Sequence, residues 1–242
     1  MINQIFDLHD KNIIITGASS GIGLQLCRTL SHLSANVYGI SKSKIKNENF
    51  DSFACDLTCE ASTSEVINSI GTKVSKIDCL INVAGISITV ENGNDFEAFN
   101  RTIDLNLISS FKCSKIASGY MATGSSIINF SSIGGLQGFP NNPGYTSSKG
   151  AIISLTQSLA VDLGHIGVRV NSISPGYIFT KMTESSYNDA DSRKERLDRM
   201  IIKRWGKPKD LIGIVIYLSC DASSYVTGQN FVIDGGWTAK GL

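Results

Sequence analysis

The chain has no apolar run approaching the ~20 residues that a membrane-spanning helix needs. Proline is scarce, four residues in 242, and no low-complexity tract interrupts the sequence, so no linker is evident and a single domain over 1–242 is expected. Neither sign of charge prevails: 22 Lys and Arg oppose 21 Asp and Glu, with no basic block that would mark a nucleic-acid or anionic membrane surface. The six cysteines (Cys27, Cys55, Cys59, Cys79, Cys113, Cys220) lack paired C-x-x-C spacing and no histidine cluster accompanies them. They read as reduced, mostly buried small hydrophobes, and no metal site is expected. Met1 to Asp10 has no basic stretch, and Asp7 and Asp10 break up its apolar residues, so a secretory leader is not expected and a cytoplasmic location is. What is present is a composition of 42% hydrophobic and 18% charged residues, enough to bury a substantial core.

Lys11 to Thr16 is a short β-branched run that enters Gly17-Ala18-Ser19-Ser20-Gly21-Ile22-Gly23, and a helical pattern follows through Leu24, Leu26, Cys27, Leu30 and Leu33. Strand, glycine turn and helix form the context that a dinucleotide site requires. Glycine lets the backbone approach a pyrophosphate, and the unpaired N–H groups of the helix start attract it. The spacing is T-G-x-x-x-G-x-G rather than G-x-G-x-x-G, and glycines in such a turn also have a purely structural reading. Asn36 to Ile40 reads as the next strand, ending at Ser41-Lys42-Ser43-Lys44. A carboxylate at this point would accept from the 2′-hydroxyl of NAD. Ser41 and Lys42 stand there instead and would receive a 2′-phosphate without repulsion, so NADP(H) is expected ahead of NAD(H). Lys42 and Lys44 as mere solvated charges is the plainer alternative.

Further strands are expected at Phe53 to Cys55, leaving Asp56-Leu57 at its end, and at Cys79 to Gly85, which holds Asn82-Val83-Ala84-Gly85. Others fall at Ile127 to Phe130, Val168 to Ser174 and Phe231 to Ile233. Helical periodicity runs over Ser62 to Val74, Thr102 to Met121, Tyr145 to Leu163 and Leu211 to Leu218. Alternation of this kind gives an α/β fold, a doubly wound parallel sheet with helices on both faces.

Tyr145-Thr146-Ser147-Ser148-Lys149 places a phenol and an ammonium at i and i+4, on one face of a helix. At roughly 4 Å and an effective dielectric near 20, such a charge favours the phenolate by about 4 kcal/mol, or roughly three units from a pKa near 10. A phenol so tuned serves as a general acid/base. Ser132 follows a buried strand and is expected at its C-terminal end, where ligands bind in open α/β sheets. A Tyr-x-x-x-Lys pair alone also arises on any amphipathic helix, and Ser132 alone reads as a turn hydroxyl.

In order, Thr16 to Gly23, Asp56, Asn82-Val83-Ala84-Gly85, Asn106, Ser132, Tyr145-x-x-x-Lys149 and Pro175-Gly176 resemble the short-chain dehydrogenase/reductase family, over nearly the whole chain. The resemblance implies a Rossmann-type sheet of about seven strands and an oxidoreductase interconverting a ketone and a secondary alcohol. It implies a catalytic set of Asn106, Ser132, Tyr145 and Lys149. The cofactor would be held by Gly17, Ser19, Ser20, Gly21, Ile22, Gly23, Ser41, Lys42, Asp56, Leu57, Asn82, Ala84 and Gly85, with Tyr145, Lys149, Pro175, Gly176, Ile178 and Thr180 at the nicotinamide end. Asn106 would hold a helical kink and a water linking Lys149 to solvent. The helix from Tyr145 would pair across a dimer axis, usually within a homotetramer, and Asp234-Gly235-Gly236-Trp237 matches a signature often found at a subunit interface.

Two departures bear on function. Val83 stands where the family more often has a second asparagine, implying a small local loss of hydrogen bonding. Family members that reduce 3-oxoacyl groups on acyl carrier protein dock it on arginines, where this chain has Thr123 and Ile166, with His165 and Lys115 nearby. That disfavours a carrier-bound substrate and leaves a free small-molecule ketone ahead of it. The polar block at 181–203 reads as a substrate lid. A non-catalytic NADP(H)-binding regulator on the same fold is the alternative of another class, against which the complete catalytic set argues.

Overall fold

The computed structural model describes residues 5–46, 48–90 and 95–240, so the Met1 to Gln4 part of the N-terminal reading lies outside it. Its spine is β1 (Asn12–Thr16), whose isoleucines are fully buried on both faces. Ile13 and Ile15 pack with Leu26 and Leu30 of α1 (Gly21–His32) and with Val215 and Leu218 of α8 (Ile212–Ser219). Ile14 faces the other way, joining Ile67 and Ile70 of α2 (Glu60–Val74), Cys113 and Ala117 of α4 (Ser109–Ser118) and Leu159 of α5 (Pro143–Gly164). Period-two alternation in one strand thus builds two cores.

The remaining strands are β2 (Asn36–Ser41), β3 (Asp51–Ala54), β4 (Cys79–Asn82), β5 (Ser126–Phe130), β6 (Arg169–Pro175) and β7 (Asn230–Ile233). All pair in parallel, in the order β3-β2-β1-β4-β5-β6-β7. This is the expected doubly wound α/β sheet. Winding reverses between β1 and β4, and at such a switch point a crevice opens beyond the C-terminal strand ends.

The helix expected over Thr102 to Met121 starts earlier and contains a defect. It opens as α3 (Phe96–Ile103), where the Asp95 side chain accepts from the Ala98 N–H at 3.0 Å. It then widens into a π-helical turn at Asp104–Ile108 before α4. Asn106 is the buried residue of that turn. The polar block after β6 also folds, into α6 (Glu184–Asn188) and α7 (Ala190–Arg199), the latter capped by Asp189 accepting from Ser192 N–H at 2.8 Å.

The glycine turn is packed to contact. Gly17 has φ +71°, and a Cβ there would stand 2.9 Å from the Ala84 backbone, while a Cβ on Gly23 would collide with the Gly17 carbonyl. Gly23→Ala is therefore expected to cost about 1–3 kcal/mol through overpacking and to loosen the turn. A urea titration checks it, and an unchanged midpoint would contradict this packing.

Candidate active site

Above the switch point lies a cleft of about 550 Å³, lined by Gly17, Ser19, Ser20, Gly21, Ile22, Gly23, Ser41, Lys42, Asp56, Leu57, Ala84, Gly85 and Thr180. Through Ile22, Val83, Gly85, Thr180 and Met182 it continues into a second cavity of about 110 Å³ holding Ser132, Tyr145, Lys149, Pro175, Gly176 and Ile178. The two volumes form one path from the glycine turn to the phenol. Its walls fit a dinucleotide. Ser20 makes no side-chain cap among the described residues, so the first N–H groups of α1 are left for an anion.

At the end of the cleft expected to take the adenosine, Lys42 Nζ lies 3.3 Å from Asp56, with Lys42 exposed and Asp56 half-exposed. The Thr58 hydroxyl and N–H, aided by Lys42, hold the Asp56 carboxyl below the ordinary range. Ser41 is buried and already donates to the Ser43 carbonyl at 2.8 Å, leaving its lone pairs and not its proton to the cleft.

The residues expected to be catalytic come from different elements, and backbone clamps register them. Lys149 Nζ donates to the Phe130 carbonyl at 2.7 Å, and Ser131 Oγ donates to the Lys149 carbonyl at 2.7 Å. These two bonds fasten α5 to the end of β5. Ser132, next along, accepts from Gly134 N–H at 3.0 Å, which leaves its O–H free to donate. Asn106 accepts from Ile86 N–H at 2.8 Å and donates to the Ile86 carbonyl at 2.9 Å and to Ser148 Oγ at 3.0 Å. It pins the loop after β4 against α5. A Cβ on Gly85 would meet both Asn106 Oδ1 and Lys149 Nζ, at 3.0 and 3.5 Å, so the two groups flank one small space.

Electrostatics correct one sequence expectation. Burial pushes the Tyr145 phenol above its ordinary value, the Ser132 hydroxyl pulls it back in part, and Tyr177 raises it further. Lys149 does not reverse this, because its ammonium is drawn to Phe130, 5.8 Å from the Tyr145 ring centre. Burial also lowers Lys149 itself, to about 8. The site therefore holds a protonated phenol beside a weakened ammonium.

Other expectations shift as well. Asn82 does not line either cavity: it is buried below them, donating to Asn129 Oδ1 at 2.9 Å and Ser114 Oγ at 3.1 Å, and Asn129 continues to Thr156 at 3.0 Å. It joins strands to helices rather than facing the cleft. At Val83 the backbone loses nothing, since Thr16 Oγ1 accepts from the N–H groups of Val83 and Ala84 at 3.1 and 3.2 Å. Thr123 and Ile166 lie where β5 and β6 begin, at the sheet edge opposite the cavity, joined by a 3.4 Å bond. Their residue types therefore say nothing about the mouth of this chain's site. Sequence reading missed Arg101, Asp104 and Leu105 on the cleft wall. Arg101 comes from the last turn of α3, while the π-helical turn delivers Asp104 and Leu105, and no sequence pattern marked it. Among the described residues no group of side chains could hold a metal, and no helix is long and apolar enough to cross a membrane.

Comparison with known proteins agrees with this geometry. Residues 17–238 match a family model described as enoyl-(acyl carrier protein) reductase. A 2-dehydro-3-deoxy-D-gluconate 5-dehydrogenase of Pseudoalteromonas atlantica is 34% identical over 97% of this chain and 98% of its own. A 3-oxoacyl-[acyl-carrier-protein] reductase of Rickettsia bellii is 33% identical over 96% and 98%. A solved structure from Beutenbergia cavernae, titled as an NAD(P)-dependent gluconate 5-dehydrogenase with NADP bound at low occupancy, superposes with a TM-score of 0.91 at 27% identity, covering 98% of this chain and all of that one. The chain belongs to the short-chain dehydrogenase/reductase family. It is an NAD(P)-dependent oxidoreductase acting between a ketone and a secondary alcohol.

The depressed Lys149 has a measurable signature in the cofactor-free protein. Its folded value near 8 lies below the unfolded value of about 10.4, so between them the unfolded chain binds the extra proton and stability rises with pH. Relative to Lys149→Met, the wild-type protein is expected to gain stability as pH climbs from 8 toward 10.4, and to lose that gain as pH falls back through 8. Thermal unfolding of both proteins across this range checks it; parallel curves would contradict a buried, depressed amine.

Proposed function

We propose that this chain is an NADP(H)-preferring carbonyl reductase in which Tyr145 is the general acid and base. The carrying observation is that Ser132, Tyr145 and Lys149 share one small cavity opening from a glycine-lined cleft. When bound, the nicotinamide supplies or accepts the hydride. A phenol kept protonated by burial is poised to donate its proton to a carbonyl oxygen, and Ser132, its acceptor role taken by Gly134, directs its O–H at the same oxygen. Lys149 spends one of an ammonium's three donors on Phe130 and keeps the others for a ribose hydroxyl and for favouring the phenolate as it forms. Asn106 positions the Gly85–Ile86 backbone and, through Ser148, the helix that carries Lys149.

Lys42 supports NADP(H) over NAD(H), whereas Ser41, its proton spent on Ser43, offers a 2′-phosphate no hydroxyl donor; the structural neighbour that carries NADP agrees in direction with Lys42. The names of the relatives supply two substrate readings, a sugar-acid ketone and a carrier-bound 3-oxoacyl group. The 110 Å³ cavity favours the smaller, polar one. Exposed Phe96, Phe99, Phe111 and Val161 on α3 to α5 supply the apolar surface for pairing in a homotetramer, which we take to be cytoplasmic.

Tyr145→Phe is expected to lower turnover by about 10²–10⁴-fold while NADPH still binds. NADPH oxidation at 340 nm with a panel of ketones, alongside NADPH titration of the variant, reads both; a variant of wild-type activity would remove Tyr145 from the mechanism. Wild-type protein should also bind NADPH more tightly than NADH, with Lys42→Ala narrowing the difference roughly tenfold, about 1.4 kcal/mol. Equal affinities in the wild type would reject the cofactor preference.

A further inference from the structure

One cysteine departs from the buried reading of the six. Cys27, Cys55, Cys79, Cys113 and Cys220 are buried, and burial pushes the thiols of Cys27, Cys79 and Cys113 up to about 12. Cys59 is exposed at the N-cap of α2, where the N–H and then the hydroxyl of Ser62 hold its thiol below the ordinary value. The thiolate is the form that meets oxidants, and exposure at a helix start favours it.

Cys55 stands close by, directly after β3, and lines the cleft. Its Sγ donates to Ser62 Oγ at 3.6 Å, so the hydroxyl that serves Cys59 also serves Cys55. The backbone holds the two together as well. Cys59 N–H donates to the Asp56 carbonyl at 3.0 Å, and the Ser62 and Thr63 hydroxyls, both beside Cys55 Sγ, donate to the Cys59 carbonyl at 3.2 and 2.8 Å. The three residues between the cysteines, Asp56, Leu57 and Thr58, all line the cleft. A bond between the two sulfurs would therefore act on the cleft wall.

We propose that Cys55 and Cys59 form an oxidisable pair, and that the disulfide between them deforms the Asp56–Thr58 wall and weakens dinucleotide binding. The oxidant is a peroxide. The Cys59 sulfur attacks one peroxide oxygen; an S–O bond forms, the O–O bond breaks, and water leaves a sulfenic acid behind. The Cys55 sulfur then attacks the Cys59 sulfur; the S–S bond forms, the S–O bond breaks, and a second water carries off both remaining protons. Two thiols are oxidised and one hydrogen peroxide is reduced. A buried thiol and an exposed one meet only when the turn between them rearranges, because disulfide geometry is narrow. Asp56, which accepts from Thr58 N–H and Oγ at 3.1 and 2.7 Å and pairs with Lys42, moves with that turn. This regulation rests on the reading of the cleft as the NADP(H) site.

The full chain is treated with hydrogen peroxide in small excess, and its peptides are mapped by mass. The segment holding both cysteines is expected to lose two hydrogen atoms. The oxidised protein should then bind NADPH, followed by nucleotide fluorescence, more weakly by roughly tenfold or more, and dithiothreitol should restore the affinity. Cys59→Ser, which installs a good N-cap residue, should bind NADPH as the wild type does and keep that affinity through the treatment. Cys55→Ser should stop at a sulfenic acid on Cys59, captured by dimedone. No Cys55–Cys59 crosslink, a crosslink with NADPH affinity unchanged, a Cys59→Ser protein that loses affinity under peroxide, or dimedone captured on another cysteine would each overturn the assignment. Reduced protein that binds neither NADPH nor NADH would reject the cofactor reading while mass still reads the crosslink, so the two fail separately.

Discussion

Two reciprocal hydrogen bonds between the end of β5 and helix α5 hold this site together. The Lys149 ammonium reaches the Phe130 carbonyl, and the Ser131 hydroxyl reaches back to the Lys149 carbonyl. A buried cation that lost such an acceptor would be left unpaired in a poorly solvated setting, a costly state, so the clamp resists opening. Because Tyr145 lies one turn before Lys149 and Ser132 one residue after Ser131, the clamp also fixes where phenol and hydroxyl stand relative to each other.

The same burial sets the chemistry. A tyrosine beside a lysine in water would drift toward phenolate, but this pocket strips water from both, raising one group and lowering the other. The outcome is a phenol held in its protonated form beside a weakened ammonium. Around them, Asn106 in its π-helical turn and the Asn82–Asn129–Thr156 chain supply polar bracing from within the core. Neither asparagine needs to touch a ligand to matter, since each spends its bonds fixing backbone or strands that do.

Much of this was legible in the residues. Fully buried parallel strands favour apolar, β-branched-rich runs, so Ile13 to Ile15, Leu80-Ile81 and Ile127-Ile128 announced themselves, as did the turn glycines Gly17, whose backbone passes close to Ala84, and Gly23, which passes close to Gly17. That Ser132, Tyr145 and Lys149 would share one cavity followed from side-chain types at helical spacing and at a strand end. What escaped depends on direction and local defects. Asn82 sits in the motif that borders the cleft, yet strand alternation turns its amide into the core. The π-helical turn that brings Asp104 and Leu105 to the cleft is an insertion in hydrogen-bond register, for which composition carries no signal. The phenol's direction of shift was misread because a pairwise charge argument omits the desolvation of both partners. The block at 181–203 was recognised as polar, but its aromatic underside draws on Phe139, Tyr177, Trp205 and Trp237, residues far apart in the chain.

A crystal structure of the chain with NADP⁺ and an unreactive alcohol tests the central claim most directly. The account requires the alcohol oxygen to sit within about 3 Å of both Tyr145 Oη and Ser132 Oγ, with Lys149 Nζ retaining its bond to Phe130 while reaching the nicotinamide ribose. A nicotinamide seated away from the Tyr145 cavity, or an alcohol held by only one of the two hydroxyls, would contradict it.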